Sequence, residues 1–189
     1  MFNKVFSSSN LPLALVLLAF VAMGGGVLIL REQPGTPAEV PVASTAKNPG
    51  RPAPDFDVVS VGGGRIRLSD YRGKVVIVDF WSITCGPCLD ANEHLQRFYS
   101  DYKKLGLEII GLSIDQYSEQ VEDFLESYPV SYHIGMATEK VIRDYGGVFS
   151  IPQTYVLDRE GRIVNKYEGY SELSAYQMER LIKKLLASG

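Results

Sequence analysis

Apolar and polar positions change their period several times along this chain, and each change marks an element. The first stretch has no period at all. From Leu11 to Leu30 twenty residues run almost wholly apolar, and no charged side chain lies between Lys4 and Arg31. At about 1.5 Å per residue, a helix of that length matches a hydrocarbon core of about 30 Å. The expectation is a transmembrane anchor over residues 11–30 behind a short cytoplasmic N-terminus, residues 1–10. The competing reading is a cleaved signal peptide with Ala22-Met23-Gly24 as its small-residue site, although cleavage there leaves an apolar "GGVLIL" as the new end. Lys4 precedes the span and no basic cluster follows it, which keeps the N-terminus inside and everything after Arg31 outside the cytoplasm. Residues 31–53 hold five prolines and few large apolar side chains. They read as an extended linker with a reach of about 70 Å.

From residue 54 to 189 the periods of strand and helix alternate. "RIRL" (65–68) alternates like a short strand, and "KVVIVDFW" (74–81) is a buried-strand run rich in β-branched residues. Cys88 to Lys104 reads as a helix with Leu95, Phe98, Tyr99 and Tyr102 on one face. "LEIIGLSID" (107–115) is a second buried strand, 118–127 a helix with Val121, Phe124 and Leu125 inward, and 140–145 a short helical stretch. Residues 153–169 form a hairpin turning at Asp158–Gly161, and 174–187 close the chain as an amphipathic helix. Strands alternating with helices predict an α/β domain: a central mixed sheet covered on both faces, parallel at its start and finished by an antiparallel hairpin.

Composition adds mostly exclusions. Nineteen Lys and Arg against 22 Asp and Glu give a net charge of −3, so there is no basic footprint for nucleic acid. The two histidines, His94 and His133, stand alone, and no internal repeat is visible.

The candidate chemistry is concentrated in "FWSITCGPCLD", which holds both cysteines, Cys85 and Cys88, with two residues between them. As a staple the pair is poorly placed: closing so short a loop stabilises by roughly 2 kcal/mol, against about 4.7 for a loop of a hundred residues. As a redox pair it is well placed. Residues i and i+3 on a helix have Cβ atoms about 5–6 Å apart, where a disulfide wants about 3.8 Å, so the bond forms and breaks without large cost either way. Cys85 falls at a helix N-terminus, where free N–H groups and the dipole favour a thiolate. A fall in pKa from about 8.5 to about 7 raises the thiolate fraction roughly 15-fold at neutral pH and lowers nucleophilicity about 5-fold, a net gain of about 3-fold. Cys85 is therefore expected to attack a partner disulfide, and Cys88, one turn in and shielded, to resolve the mixed disulfide. Gly86 allows close backbone approach, and Pro87 fits the first helical turn. No histidine or acid lies between the cysteines to stabilise the reduced form, which places the pair toward the reducing end. Asp79, inside an apolar strand, is expected to have a raised pKa.

These residues resemble the thioredoxin fold, specifically its membrane-anchored TlpA/ResA type. The resemblance covers residues 54 to 187 and rests on "APDFDVVSVGGGRIRLSDYRGKVVIVDFW", on "CGPC" and on "GGVFSIPQTYVLDREGRI". It implies a cis Pro152 facing the cysteines and shaping the substrate groove, with the Ile151 backbone pairing with an extended partner segment. It also implies that Asp79 is the buried acid accepting the Cys88 proton through water, and that Trp81 packs beneath the site. Three departures stand out: Thr84 replaces the usual tryptophan on the rim, Ala91 and Glu93 stand where anchored members carry an acid and a proline, and Gly111 replaces a lysine near the buried acid.

The implied activity is thiol–disulfide exchange that reduces extracytoplasmic proteins, among them apocytochrome c, with no cofactor. The implied partners are disulfide-containing envelope proteins and a membrane dithiol carrier that supplies electrons. The implied location is a bacterial plasma membrane, with the catalytic domain on its outer side. Two alternatives use the same residues. A peroxiredoxin wants a threonine about three residues before its cysteine and a helping arginine, whereas Thr84 is adjacent and position 82 is serine. A copper carrier on this fold places three residues between its cysteines and adds a distal histidine, whereas here two intervene.

Overall fold

The computed structural model describes residues 50–188. The apolar span and the linker up to residue 49 lie outside the described residues, and among those described no helix is long and apolar enough to cross a membrane. The domain takes up the chain earlier than residue 54. Ile163 N–H donates to Arg51 O at 2.9 Å and Ala53 N–H to Gly161 O at 3.0 Å, so residues 50–53, expected in the linker, are tied to the turn of the final hairpin.

Seven strands and four α-helices follow: β1 Asp57–Val59, β2 Arg65–Arg67, β3 Val75–Trp81, α1 Gly86–Tyr102, β4 Leu107–Ser113, α2 Ser118–Ser127, β5 His133–Met136, α3 Glu139–Asp144, β6 Gln153–Leu157, β7 Ile163–Glu168 and α4 Glu172–Ala187. Five strands form the central sheet in the order β5-β4-β3-β6-β7. β3, β4 and β5 run parallel, β6 pairs antiparallel with β3, and β7 pairs antiparallel with β6. This is the mixed sheet that the alternating periods predict. β3 lies at its centre and is buried along its whole length, which explains an unbroken β-branched run with no polar face.

Successive β3 side chains point to opposite faces. Val75, Ile77 and Trp81 join one core with Cys88, Leu95 and Phe98 of α1, Val121 of α2, and Met178 and Ile182 of α4. Val76, Val78 and Phe80 join the other core with Val141 of α3 and with Val58 and Ile66 of the β1–β2 hairpin. The second face is thus covered by one short helix and a hairpin rather than by helices alone. "RIRL" contributes the strand Arg65–Arg67, which pairs with β1 outside the central sheet, and Leu68 already begins a 3₁₀ turn.

α1 begins at Gly86, two residues ahead of the apolar period. Pro87 sits in the first turn, where its fixed φ suits a helix and its missing N–H has no partner to lose. α4 likewise begins ahead of its apolar period, because Ser171 and Ser174 form a reciprocal capping box.

Candidate active site

Cys85 and Cys88 are joined as a disulfide, with Cα atoms 5.2 Å apart, at the start of α1. Cys85 is the helix N-cap and half-buried. Cys88 is fully buried in the core beneath α1. The Cys88 backbone N–H is shared between Cys85 O at 3.0 Å and Cys85 Sγ at 3.2 Å, so a donor of the first helical turn also points at the outer sulfur. That donor favours a thiolate on Cys85 once the bond is reduced. Thr84, Gly86 and Pro87 are exposed around it.

The other wall of the site is the segment leading into β6. The Ile151–Pro152 peptide is cis, and Ile151 O lies 3.7 Å from Cys85 Sγ. Pro152 itself is buried and its carbonyl accepts the Gly169 N–H at 2.8 Å, so main chain at half-buried Ile151 is what the site presents. Trp81 is buried at the end of β3, its ring 5.9 Å from that of Phe124.

A clamp just past the end of β4 shapes the loop between β3 and α1. Asp115 accepts from Ser82 Oγ at 2.7 Å, from the Ile83 N–H at 3.0 Å and from Ser113 Oγ at 2.8 Å. Ser82 in turn accepts the Thr84 N–H on its hydroxyl and the Cys85 N–H on its carbonyl, both at 3.2 Å. Thr84, where the resemblance leads one to expect tryptophan, turns its hydroxyl back to Ser82 Oγ at 3.1 Å.

Asp79 lies behind the disulfide, 1% exposed. The sheet register sets it between Gly111 of β4 and Thr154 of β6. Thr154 Oγ1 donates to Asp79 Oδ1 at 2.6 Å, while Oδ2 meets no protein donor among the described residues. Burial pushes the carboxyl pKa up to about 7, with the Thr154 hydrogen bond opposing part of the rise. No cation contributes, and Gly111 shows why. A Cβ at that position would stand 2.7 Å from Ile134 Cδ1, 3.1 Å from Trp81 Nε1 and 3.4 Å from Tyr132 Cε2. The indole and the phenol ring occupy the space through which a lysine would reach the acid.

The structure therefore brings Cys85, Cys88, Thr84, Gly86, Pro87, Ile151 and Pro152 together, with Trp81 and Asp79 beneath them. Thr154 and Asp115 were not anticipated from sequence. Thr154 stands two residues after Pro152 and so could have been placed on one face of β6, but its partner depends on the β3–β6 register. Asp115 carried one signal, an acid closing the buried run of "LEIIGLSID". His94 and His133 remain apart from the cysteines, near Glu172 and Glu108.

Residues 49–166 match the AhpC/TSA family. The thiol-disulfide oxidoreductase ResA of Bacillus thuringiensis subsp. konkukian is 31% identical over 137 residues, 72% of this chain and 78% of that protein. The Bacillus subtilis ResA is 30% identical over 141 residues, 74% of this chain and 79% of that protein. Among solved structures, a thioredoxin-family thiol:disulfide interchange protein from Chlorobium tepidum is similar with a TM-score of 0.67 and 25% identity, covering 75% of this chain and 99% of that one. Another Chlorobium tepidum protein, assigned as the interchange protein DsbE, gives a TM-score of 0.69 at 27% identity over 75% and 99% of the two chains.

Proposed function

Because the chain belongs to the AhpC/TSA family and is a thioredoxin-fold thiol–disulfide oxidoreductase like its ResA-named relatives, we propose that it works as a membrane-anchored reductant of extracytoplasmic disulfides. The observation that carries this reading is the asymmetry of the pair: a half-buried sulfur at the helix N-cap, within reach of a first-turn N–H, and a second sulfur wholly inside.

In the reduced protein the Cys85 thiolate attacks a partner disulfide. A Cys85–partner bond forms, the partner's sulfur–sulfur bond breaks, and one partner thiolate leaves. Cys88 then gives its proton toward Asp79 and attacks Cys85 Sγ, which expels the second partner thiolate. Two electrons pass to the partner and the protein is left oxidised. Both electrons are held by the two thiols, so the cycle calls for no cofactor. Asp79 suits its part because an acid with a pKa near 7 both takes and returns a proton at neutral pH.

The reducing direction is supported by what surrounds Cys85. Gly86 and Pro87 supply neither charge nor side-chain donor, and strong oxidants need a more heavily stabilised reduced form. In an oxidising compartment the protein must be recharged, and a dithiol carrier in the membrane is the proposed donor. The apolar residues 11–30 supply the anchor, and the prolines of 31–53 the tether. Envelope proteins near the membrane are the proposed substrates, with the haem-site cysteines of apocytochrome c among them.

Two measurements test this. The reduction potential is expected near thioredoxin's, about −270 mV, and a value of about −200 mV or above would make the protein an oxidant or isomerase. A Cys88→Ser variant is expected to trap partners as mixed disulfides. Trapping by Cys85→Ser instead would reverse the two roles.

A further inference from the structure

Phe149 is the most exposed large apolar side chain among the described residues, at 93%. Its ring folds over Gly147, where a Cβ would come within 2.5 Å of Phe149 Cε2 and where φ is +84°. Glycine accepts that backbone readily, and a side chain there would push the exposed ring aside. Among the described residues, no backbone hydrogen bond engages the N–H or C=O groups of Val148 to Ile151. This unpaired segment ends against the reacting sulfur, since Ile151 O lies 3.7 Å from Cys85 Sγ. The facing rim, Thr84, Gly86 and Pro87, carries no charge.

A lone surface phenylalanine would ordinarily need no explanation. This one is continuous with the redox pair. A disulfide that reaches Cys85 meets free backbone donors and acceptors at once and an aromatic ring two residues further on. An extended chain pairs naturally with such a segment. Along an extended chain, residues two apart face the same side and lie about 6.6–6.8 Å from each other. A partner that pairs in this way, with its cysteine held at Cys85 and Ile151, would set a side chain two positions away opposite Phe149.

We propose that Phe149 is a specificity-determining residue that selects extended, disulfide-bearing segments with a large apolar side chain two residues from the reacting cysteine. The proposal rests on Cys85 being the attacking thiol and adds the class of partner it prefers. A second copy of the chain and a lipid surface are the other occupants an exposed phenylalanine can have. The unpaired main chain beside Cys85 favours a peptide over both.

The test uses the full chain, reduced with a dithiol and then freed of it, in single turnover. The probes are symmetric peptide dimers, each joined by one disulfide, carrying either Phe or Ser two residues from the cysteine on both sides. Each event moves two electrons and two protons from the Cys85/Cys88 dithiol to the dimer, giving two peptide thiols and the oxidised protein. The Phe dimer is expected to react about tenfold faster than the Ser dimer, the size of a buried aromatic pair. Phe149→Ser brings that ratio to about one, and Phe149→Leu keeps part of it. A ratio that survives in Phe149→Ser overturns the proposal. Equal reduction of both dimers by the unaltered chain does the same and leaves the oxidoreductase reading standing. Failure to reduce either dimer overturns that reading and this proposal with it. An unchanged ratio in Phe149→Ser, combined with loss of self-association, assigns the ring to a second copy.

Discussion

Asp79 carries a folding cost, which the proton transfer proposed for it would account for. Its carboxyl titrates near 7 when folded against about 3.8 as an isolated aspartate, mainly because it is buried. Between about pH 4 and 7 the folded chain holds a proton that the unfolded chain has released. Stability therefore falls as pH rises through that window, and the whole penalty is present above pH 7. Asp79→Asn is expected to raise stability at pH 8 by on the order of 3 kcal/mol and to flatten its pH dependence below 7, as denaturant titrations at several pH values would show. The same variant cannot take the Cys88 proton, so mixed disulfides should persist at pH 7 and resolve faster only when the solution is basic enough to ionise Cys88 unaided. Thr154→Val removes the hydrogen bond that holds the Asp79 pKa down. The midpoint of the pH–rate profile for resolution should then move upward. The burial and raised pKa of Asp79 were legible in the sequence because it lies inside the apolar strand "VVIVDFW", where a hydrogen-bonded structural acid and a proton acceptor fit equally well. Thr154 was not, because which β6 residue faces Asp79 depends on strand register, and nothing local to either strand encodes it.

The loop between β3 and α1 is held both by its own residues and by Asp115, two residues past the end of β4. Three groups donate to the Asp115 carboxylate, and losing that acceptor leaves them unpaired or dependent on water. Asp115→Ala is expected to cost about 2 kcal/mol in urea unfolding and to slow reduction of a model disulfide, because Cys85 N–H bonds to the same loop through Ser82. Gly111→Ala forces a methyl against Ile134 and Trp81. It should cost about 1–3 kcal/mol and shift the emission of the chain's one tryptophan, since overpacking displaces neighbouring side chains. The long periodic elements, β3, β4, α1, α2 and the β6–β7 hairpin, could be read from the sequence because each buries a face of its own. β1 and β5 could not. β1 has three residues with one buried, and β5 is the four-residue "HIGM". Such segments become strands only through the neighbours that pair with them.

At the scale of the whole molecule, one sheet separates two tasks. Its helix-covered face holds Cys88, Trp81 and Asp79, while the opposite face is closed by α3 and the β1–β2 hairpin. Residues 1–49 lie outside the described residues. The proposed anchor predicts that the full chain leaves cell membranes only with detergent. It also predicts that a chain starting at Gly50 dissolves in buffer and reduces a small model disulfide at the same rate, and sedimentation with a rate assay would check both. The central claim is that one sulfur is poised outward and reacts first. It is tested most directly by alkylating the fully reduced protein with a limiting thiol reagent at about pH 6.5 and locating the label by peptide mass. The account predicts label on Cys85 ahead of Cys88 by more than about tenfold, because the helix N-terminus favours that thiolate and burial shields the other. Equal labelling, or Cys88 ahead, would contradict it.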